Sequence, residues 1–206
     1  MASLMIHIAV ANEVNKELNR NKNQIFIGSI APDISKLIGE TKEKSHFLTD
    51  NTDIPNLDKF LGKYKNYLND DFVMGYYIHL YTDYLWYKYF SSELINHNKI
   101  TKKDGTIVKL NGNMGSIYMY NDYTNLDVRL IEKYDLDLKM IYNEVSYIDY
   151  IIDEIPLDKL NLIINKVKLN AENSKSSKCF VFDMDDVCKF IKTATELILA
   201  AINENS

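Results

Sequence analysis

Cysteine, proline, glycine and histidine are all scarce in this chain of 206 residues. It has two cysteines, three prolines, seven glycines and four histidines. Cys179 and Cys188 stand nine positions apart, a spacing that fits neither a C-x-x-C metal or redox pair nor a disulfide framework, so they read as reduced core thiols. So little proline and glycine excludes a loop-rich or disordered chain and predicts long helices. A basic stripe is missing too: the net charge is -5, and the lysines are scattered through acidic segments. Neither nucleic acid nor an anionic membrane surface is expected to be held by charge alone. The opening "MASLMIHIAV" has no basic region, and its apolar run meets Asn12 and Glu13. It predicts neither a signal peptide nor a membrane anchor, and the expected location is the cytoplasm.

What is present is helical periodicity. A hydrophobic content of 46% over this length suits one all-α domain spanning residues 1–206 that buries a real core. Ser3 can cap a helix carrying Ile6, Val10, Val14 and Leu18, with His7 on the adjoining stripe. In "IFIGSIAPDIS" Pro32 stops an apolar segment and delivers Asp33 at an element's end. Residues 35–55 read mostly as loop. Leu57, Phe60, Leu61, Tyr64 and Leu68 mark an amphipathic helix, and a long helix is expected from about Asp70 to Phe90. The stretch 91–122 breaks the period. There "TIVKL" and "SIYMY" around "NGNMG" suggest a small hairpin insertion, which could cover a cleft beside the long helix. Helices are expected again near 123–134, 138–155, 157–170 and 183–203.

The long helix contains "GYYIHLYTDYLW", in which His79 and Asp83 are the two strongly polar side chains among large apolar and aromatic ones. Four residues apart, they project side by side from the face expected to be buried. A core histidine satisfied by an aspartate one turn on accounts for such a pair taken alone. Two more histidines also have apolar neighbours, however: His7 in "MIHIAV" and His46 in "KSHFLT". Neutral imidazoles and carboxylates are the donors a divalent ion needs, and leaving them unpaired among aromatics is costly. His97, in "LINHNK", reads as a surface residue. Tyr76, Tyr77, Tyr81, Tyr84 and Trp86 read as helix packing more than as the wall of a lipid site.

Taken in order, "IHIAVANEV", "FIGSIAPDIS", "KSHF" and "GYYIHLYTDYLW" resemble the zinc-dependent phospholipase C family, in the form found in uncharacterised bacterial proteins, and more distantly the single-strand nucleases of the same fold. The likeness covers roughly residues 4–90. It implies an all-α fold with a zinc cluster in a cleft between helices. His46, His79 and Asp83 would bind one ion, Asp33 would act beside it as ligand or general base, and His7 would bind a second ion bridged to the first by Asp83. Secreted members of that family complete a third metal site with further histidines and an H-x-x-x-E motif, and these have no counterpart after Asp83. One or two ions are therefore implied.

Two other motifs compete. "CFVFDMDDV" resembles the first motif of the haloacid-dehalogenase phosphatases, but 19 residues beyond Val187 leave no room for that α/β fold. Asp183, Asp185 and Asp186 are better explained as acids at a helix N-terminus. An HD-type phosphohydrolase needs an adjacent His-Asp dipeptide, and none occurs. Asn121 and Asp122 read as turn residues that could also reach the site. The reading is a divalent-metal hydrolase of phosphoric esters, acting on a small-molecule or lipid phosphoester, with Asp33 as the candidate catalytic base. The rival is a non-catalytic protein that keeps a partial metal site for stability or ligand binding.

Overall fold

A computed structural model describes all residues except 50, 51, 97, 98, 112, 113, 144–147, 150, 176 and 206. The chain is all-α, with one small three-stranded sheet. Helix α1 (Leu4–Leu18) is capped by the Ser3 hydroxyl, which accepts from the Ile6 N–H. Helix α2 (Lys22–Ile30) follows, then a 3-10 turn (Ala31–Asp33) with Pro32 in its first positions, and a short α3 (Ile34–Leu37). Pro32 therefore opens a new helical turn as well as closing the old helix, as a residue without an N–H can. Helices α4 (Lys42–Ser45), α5 (Leu57–Tyr64) and α6 (Asp71–Leu85) complete the first half. Helix α6 continues as a wider π turn over Trp86–Ser91 into α7 (Ser92–Leu94).

Helices α2 and α6 meet backbone to backbone. A Cβ on Gly28 would lie 2.2 Å from the Phe72 carbonyl oxygen, and one on Gly75 would lie 2.3 Å from that of Ile25. Glycine is required here by space. This contact sets the helix carrying His79 and Asp83 against the segment leading to Asp33, with α1 packed on both. The core is correspondingly apolar around them: Ile6, Ile8, Val10, Phe26, Ile27, Tyr76 and Ile78 are fully buried.

The second half departs from the periodicity. Strands β1 (Ile95–Asn96), β2 (Lys99–Thr101) and β3 (Ile107–Lys109) form an antiparallel sheet with Ile100 opposite Val108. The hairpin turn is "KDG", where Gly105 has φ 83°, a left-handed value that favours glycine. "SIYMY" is not a strand. It belongs to α8 (Met114–Lys133), whose buried Met119, Tyr123, Leu126 and Leu130 keep helical spacing; Gly112 and Asn113 of "NGNMG" lie outside the described residues. The hairpin leans on the start of α11 (Met184–Asn205), with the Lys103 N–H donating to the Phe180 carbonyl at 2.7 Å and the Lys103 ammonium pairing with Asp183 and Asp186 at 2.8 and 2.7 Å. The end of the supposed insertion is thus helical, and the cleft is bordered by that helix and by none of the hairpin's described residues.

Helix α9 (Lys139–Asn143) is shorter than the sequence suggests. Residues 144–147 and 150 of that expected helix lie outside the described residues, and 151–156 are not helical. There Glu154 accepts from the Tyr64 hydroxyl at 2.6 Å and pairs with Lys63 at 2.7 Å, and Pro156 disfavours helical backbone at Ile155. Helix α10 (Leu160–Asn173) then crosses to the cleft. Asp183 caps α11 by accepting from the Asp185 and Asp186 N–H groups. Cys179 and Cys188 are free but only half-buried. Among the described residues no helix is long and apolar enough to cross a membrane.

Candidate metal centre

Five side chains converge where α1, α2, α4 and α6 meet: His7, Asp33, His46, His79 and Asp83. Each histidine is at most 1% exposed, Asp83 is fully buried and Asp33 is 6% exposed. The sequence places His7 on the buried stripe of α1, and His79 and Asp83 one turn apart on α6. His46 ends α4. Phe47 behind it takes a left-handed φ of 51°, held in place by the rings of Phe60, Tyr64 and Tyr76. Such a conformation costs a non-glycine residue roughly 1–2 kcal/mol, and here it turns the chain sharply after the site residue. The Tyr76 hydroxyl donates to the Ser45 carbonyl and fixes the same corner.

The donor geometry is dense. His7 Nε2 lies 3.3 Å from Asp83 Oδ1, while His46 Nε2 lies 3.2 Å from His79 Nε2, 3.6 Å from Asp33 Oδ1 and 3.7 Å from Asp83 Oδ2. His79 Nε2 is 3.8 Å from Asp83 Oδ2, and the His7 and His79 rings stack at 3.8 Å. Yet both ring nitrogens of His7, Asp33 Oδ1 and Asp83 Oδ2 are buried without a hydrogen-bond partner. The 3.3 Å approach of His7 to Asp83 is therefore an ion-pair distance without hydrogen-bond alignment. Buried polar groups left in that state are costly.

The protons explain why. His79 Nδ1 lies 2.7 Å from the Ser29 carbonyl, which can only accept, so Nδ1 carries the hydrogen and Nε2 keeps its lone pair. Around His46 the tautomer follows the Ser45 hydroxyl. Ser35 donates to the Pro32 carbonyl at 3.3 Å, and the Ser45 oxygen is 3.1 Å from the Ser35 hydroxyl and 2.9 Å from His46 Nδ1. If Ser45 donates to His46 Nδ1, His46 Nε2 carries the hydrogen and can donate to His79 Nε2 at 3.2 Å. If Ser45 donates to Ser35, His46 Nδ1 is the donor and two imidazole lone pairs face each other, with carboxylate oxygens beyond them. That arrangement is repulsive unless a cation lies between.

The spacing suits one. Donors around a tetrahedral ion with bonds of about 2.0–2.1 Å stand roughly 3.3–3.4 Å apart. Two groups of donor atoms lie within 4.8 Å of one another: His7, His79 and Asp83, and Asp33, His46 and His79. His79 belongs to both, but it has one free lone pair. Asp83 has two oxygens, Oδ1 toward His7 and Oδ2 toward His46 and His79. Asp83 is therefore the side chain able to join the two groups. Its Oδ1 also accepts the Ala2 N–H at 2.9 Å, which orients the carboxylate.

Burial would raise the Asp83 pKa, but the imidazole of His7 beside it holds the carboxyl well below its usual range. Asp33 is also held low: burial opposes ionisation, while the neighbouring His46 imidazole and the charge of Lys36 outweigh it. Burial, aided by His7, pushes His79 well below the ordinary histidine value. Ionised carboxylates and neutral imidazoles are the forms that bind metal.

A cleft of about 590 Å³ reaches the cluster at Asp33. Lys36, Lys42, Tyr87, Tyr120, Tyr123 and Lys166 are among its walls. Of the aromatic residues singled out in the sequence, Tyr76 and Tyr77 are buried in packing, and the Trp86 ring lies tilted against Phe90 at 4.1 Å. The cleft tyrosines carry no local sequence signal. Asp122 does not reach the site either: fully buried, it accepts from the Phe180, Val181 and Phe182 N–H groups at 2.8, 2.6 and 3.2 Å. His97 lies outside the described residues. The orienting hydroxyls of Ser35 and Ser45 and the Ser29 carbonyl also escape sequence reading, although all three stand inside the quoted motifs.

No protein-family model, curated protein or solved structure matches the chain.

Proposed function

We propose that the chain is a divalent-metal hydrolase of phosphoric esters, using zinc and resembling the zinc-dependent phospholipases C in fold and site. The observation that carries this reading is the convergence of three buried imidazoles and two carboxylates, with both ring nitrogens of His7 and one oxygen each of Asp33 and Asp83 left without a hydrogen-bond partner. His46, His79 and Asp83 Oδ2 would hold one ion, and His7 with Asp83 Oδ1 a second. A bound zinc ion supplies Lewis acidity and brings the pKa of its water toward neutrality.

The protein's own part is positioning. Ser29 fixes the His79 ring, the Ser45 to Ser35 to Pro32 relay fixes His46, and the Ala2 N–H fixes Asp83. Asp33 lies on the cleft with one unpartnered oxygen. As an ionised carboxylate it can take a proton from the attacking water and hold it at Oδ1. Apolar side chains close the opposite side of the cluster, so bulk water approaches from the cleft.

Asp33 also separates this reading from the rival. If its Oδ1 is a fourth ligand beside His46, His79 and Asp83, it closes a tetrahedral sphere, as structural sites do. The test is Asp33→Asn. A catalytic base predicts unchanged zinc content with hydrolysis of chromogenic phosphoesters reduced by at least about a hundredfold. Loss of one zinc ion from the variant, with an inert wild type, establishes the non-catalytic site instead.

A further inference from the structure

The cleft beside the cluster carries Lys36, Lys42 and Lys166 along with Asp33, Asp53 and Asp127, in a chain whose overall charge is -5. Lys36, one turn after Asp33, holds its ammonium 3.6 Å from Asp33 Oδ1, with its side chain 38% exposed. Lys42, at the start of α4, lines the same cleft, and Lys166 comes from α10. Among the described residues Lys42 has no carboxylate within ion-pair distance, as the pairs formed by Lys36, Lys63 and Lys103 show by contrast. Burial, and next the positive charge of Lys36, bring the Lys42 pKa down to about 8. Both side chains line the one cleft that reaches Asp33.

The local charge balance identifies the partner. Lys36, Lys42 and Lys166 offset the cleft's Asp33 and Asp53 and the cluster's Asp83, while burial raises the pKa of Asp127, which also lines the cleft, to about 7. The charge of any bound divalent ions is then left for the ligand. A phosphodiester brings one negative charge, whereas a phosphomonoester carries close to two near neutral pH. Lysine binds phosphate as a point charge with several donors, so two of them can share the oxygens of one terminal phosphate.

We infer that Lys36 and Lys42 form a phosphate clamp at the cleft wall, which makes phosphomonoesters the preferred substrate class over diesters and zwitterionic headgroup esters. This rests on the metal-hydrolase reading for turnover, but binding alone can be measured without it.

The experiment compares the zinc-loaded full chain with the Lys36→Gln/Lys42→Gln double variant, checking zinc content and helicity in both. Calorimetry with inorganic phosphate should show binding weakened at least about tenfold in the variant, with zinc content unchanged. On para-nitrophenyl phosphate and bis(para-nitrophenyl) phosphate, the wild type should favour the monoester, and the variant should lose the monoester and keep most of its diester turnover. Lys42→Arg, which retains the charge, should hold phosphate nearly as well as the wild type. If the double variant is misfolded, the two single Gln variants carry the same comparison. Equal phosphate affinity in the folded variants, or a wild type that prefers the diester, overturns the clamp. Lysine-dependent phosphate binding by a protein inert on both esters upholds the clamp and overturns the hydrolase reading.

Discussion

Asp83→Asn separates a metal ligand from a core hydrogen-bonding group because it changes charge and little else. In the metal-free protein the consequences are small. Oδ1 can keep the Ala2 N–H at 2.9 Å. The new amide would stand where Oδ2 lies, 3.7 and 3.8 Å from Nε2 of His46 and His79, too far for a hydrogen bond. What is lost is the extra strength of an ionised acceptor, about 1 kcal/mol. With zinc the outcome diverges. An ion at a hundred to a thousand times its dissociation constant adds about 2.7–4.1 kcal/mol to the wild type. For a domain near this size that raises the melting temperature by roughly 5–15 °C. The variant, lacking the carboxylate that joins both donor groups, should gain almost nothing and should purify with both ions depleted. The assay is thermal unfolding with and without added zinc, read beside metal content by mass spectrometry on protein prepared without chelator. A variant with wild-type zinc content and the same zinc-dependent rise in melting temperature would refute the assignment of Asp83, and with it the argument from orphaned donors.

His7→Ala should remove about one ion and leave the His46 and His79 pair loaded, since His7 meets Asp83 through Oδ1 alone; a full complement in the variant rejects the second site. Gly75→Ala should destabilise by about 1–3 kcal/mol or more, because its Cβ would lie 2.3 Å from the Ile25 carbonyl oxygen; forcing α2 from α6 also draws the Ser29 carbonyl off His79, so zinc content should fall with it. Urea unfolding and metal content check both, and a neutral substitution would mean the helices yield. Asp127, 3% exposed, has the Ser3 hydroxyl at 3.4 Å as its one hydrogen-bond partner among the described residues, and burial raises its pKa to about 7. The folded chain then keeps a proton that the unfolded chain sheds near pH 3.9, so this residue costs stability as pH rises from about 4 to 7, by up to about 4 kcal/mol. Asp127→Asn, which cannot titrate, should be more stable than wild type at pH 8 and not at pH 4. An equal difference at both pH values in chelator-treated samples would contradict this.

How the sequence related to the site can be traced residue by residue. Periodicity placed His7, His79 and Asp83 on buried faces because a helix fixes the direction of every side chain it carries. It failed at 114–122 and 151–156, where the backbone is decided by distant partners. Asp122 ties α8 to the segment before α11, and Lys63 with Tyr64 holds Glu154. Local pattern contains no record of such contacts.

The sequence by itself determined α1, α5 and α6, the cap at Ser3, the acids that open α11, and the apolar neighbours of three imidazoles. Each follows from local propensity or local pattern. Only the tertiary structure decided that His46, delivered from a short helix after a loop, meets His79 at 3.2 Å. It alone brought Ser45, Ser35 and the Pro32 carbonyl into line behind His46, and gathered Lys36, Lys42 and Lys166 along one cleft of a chain that is acidic overall. Those are relations between residues far apart in the chain, and their energies depend on distance and burial, which exist only once the chain has closed on itself.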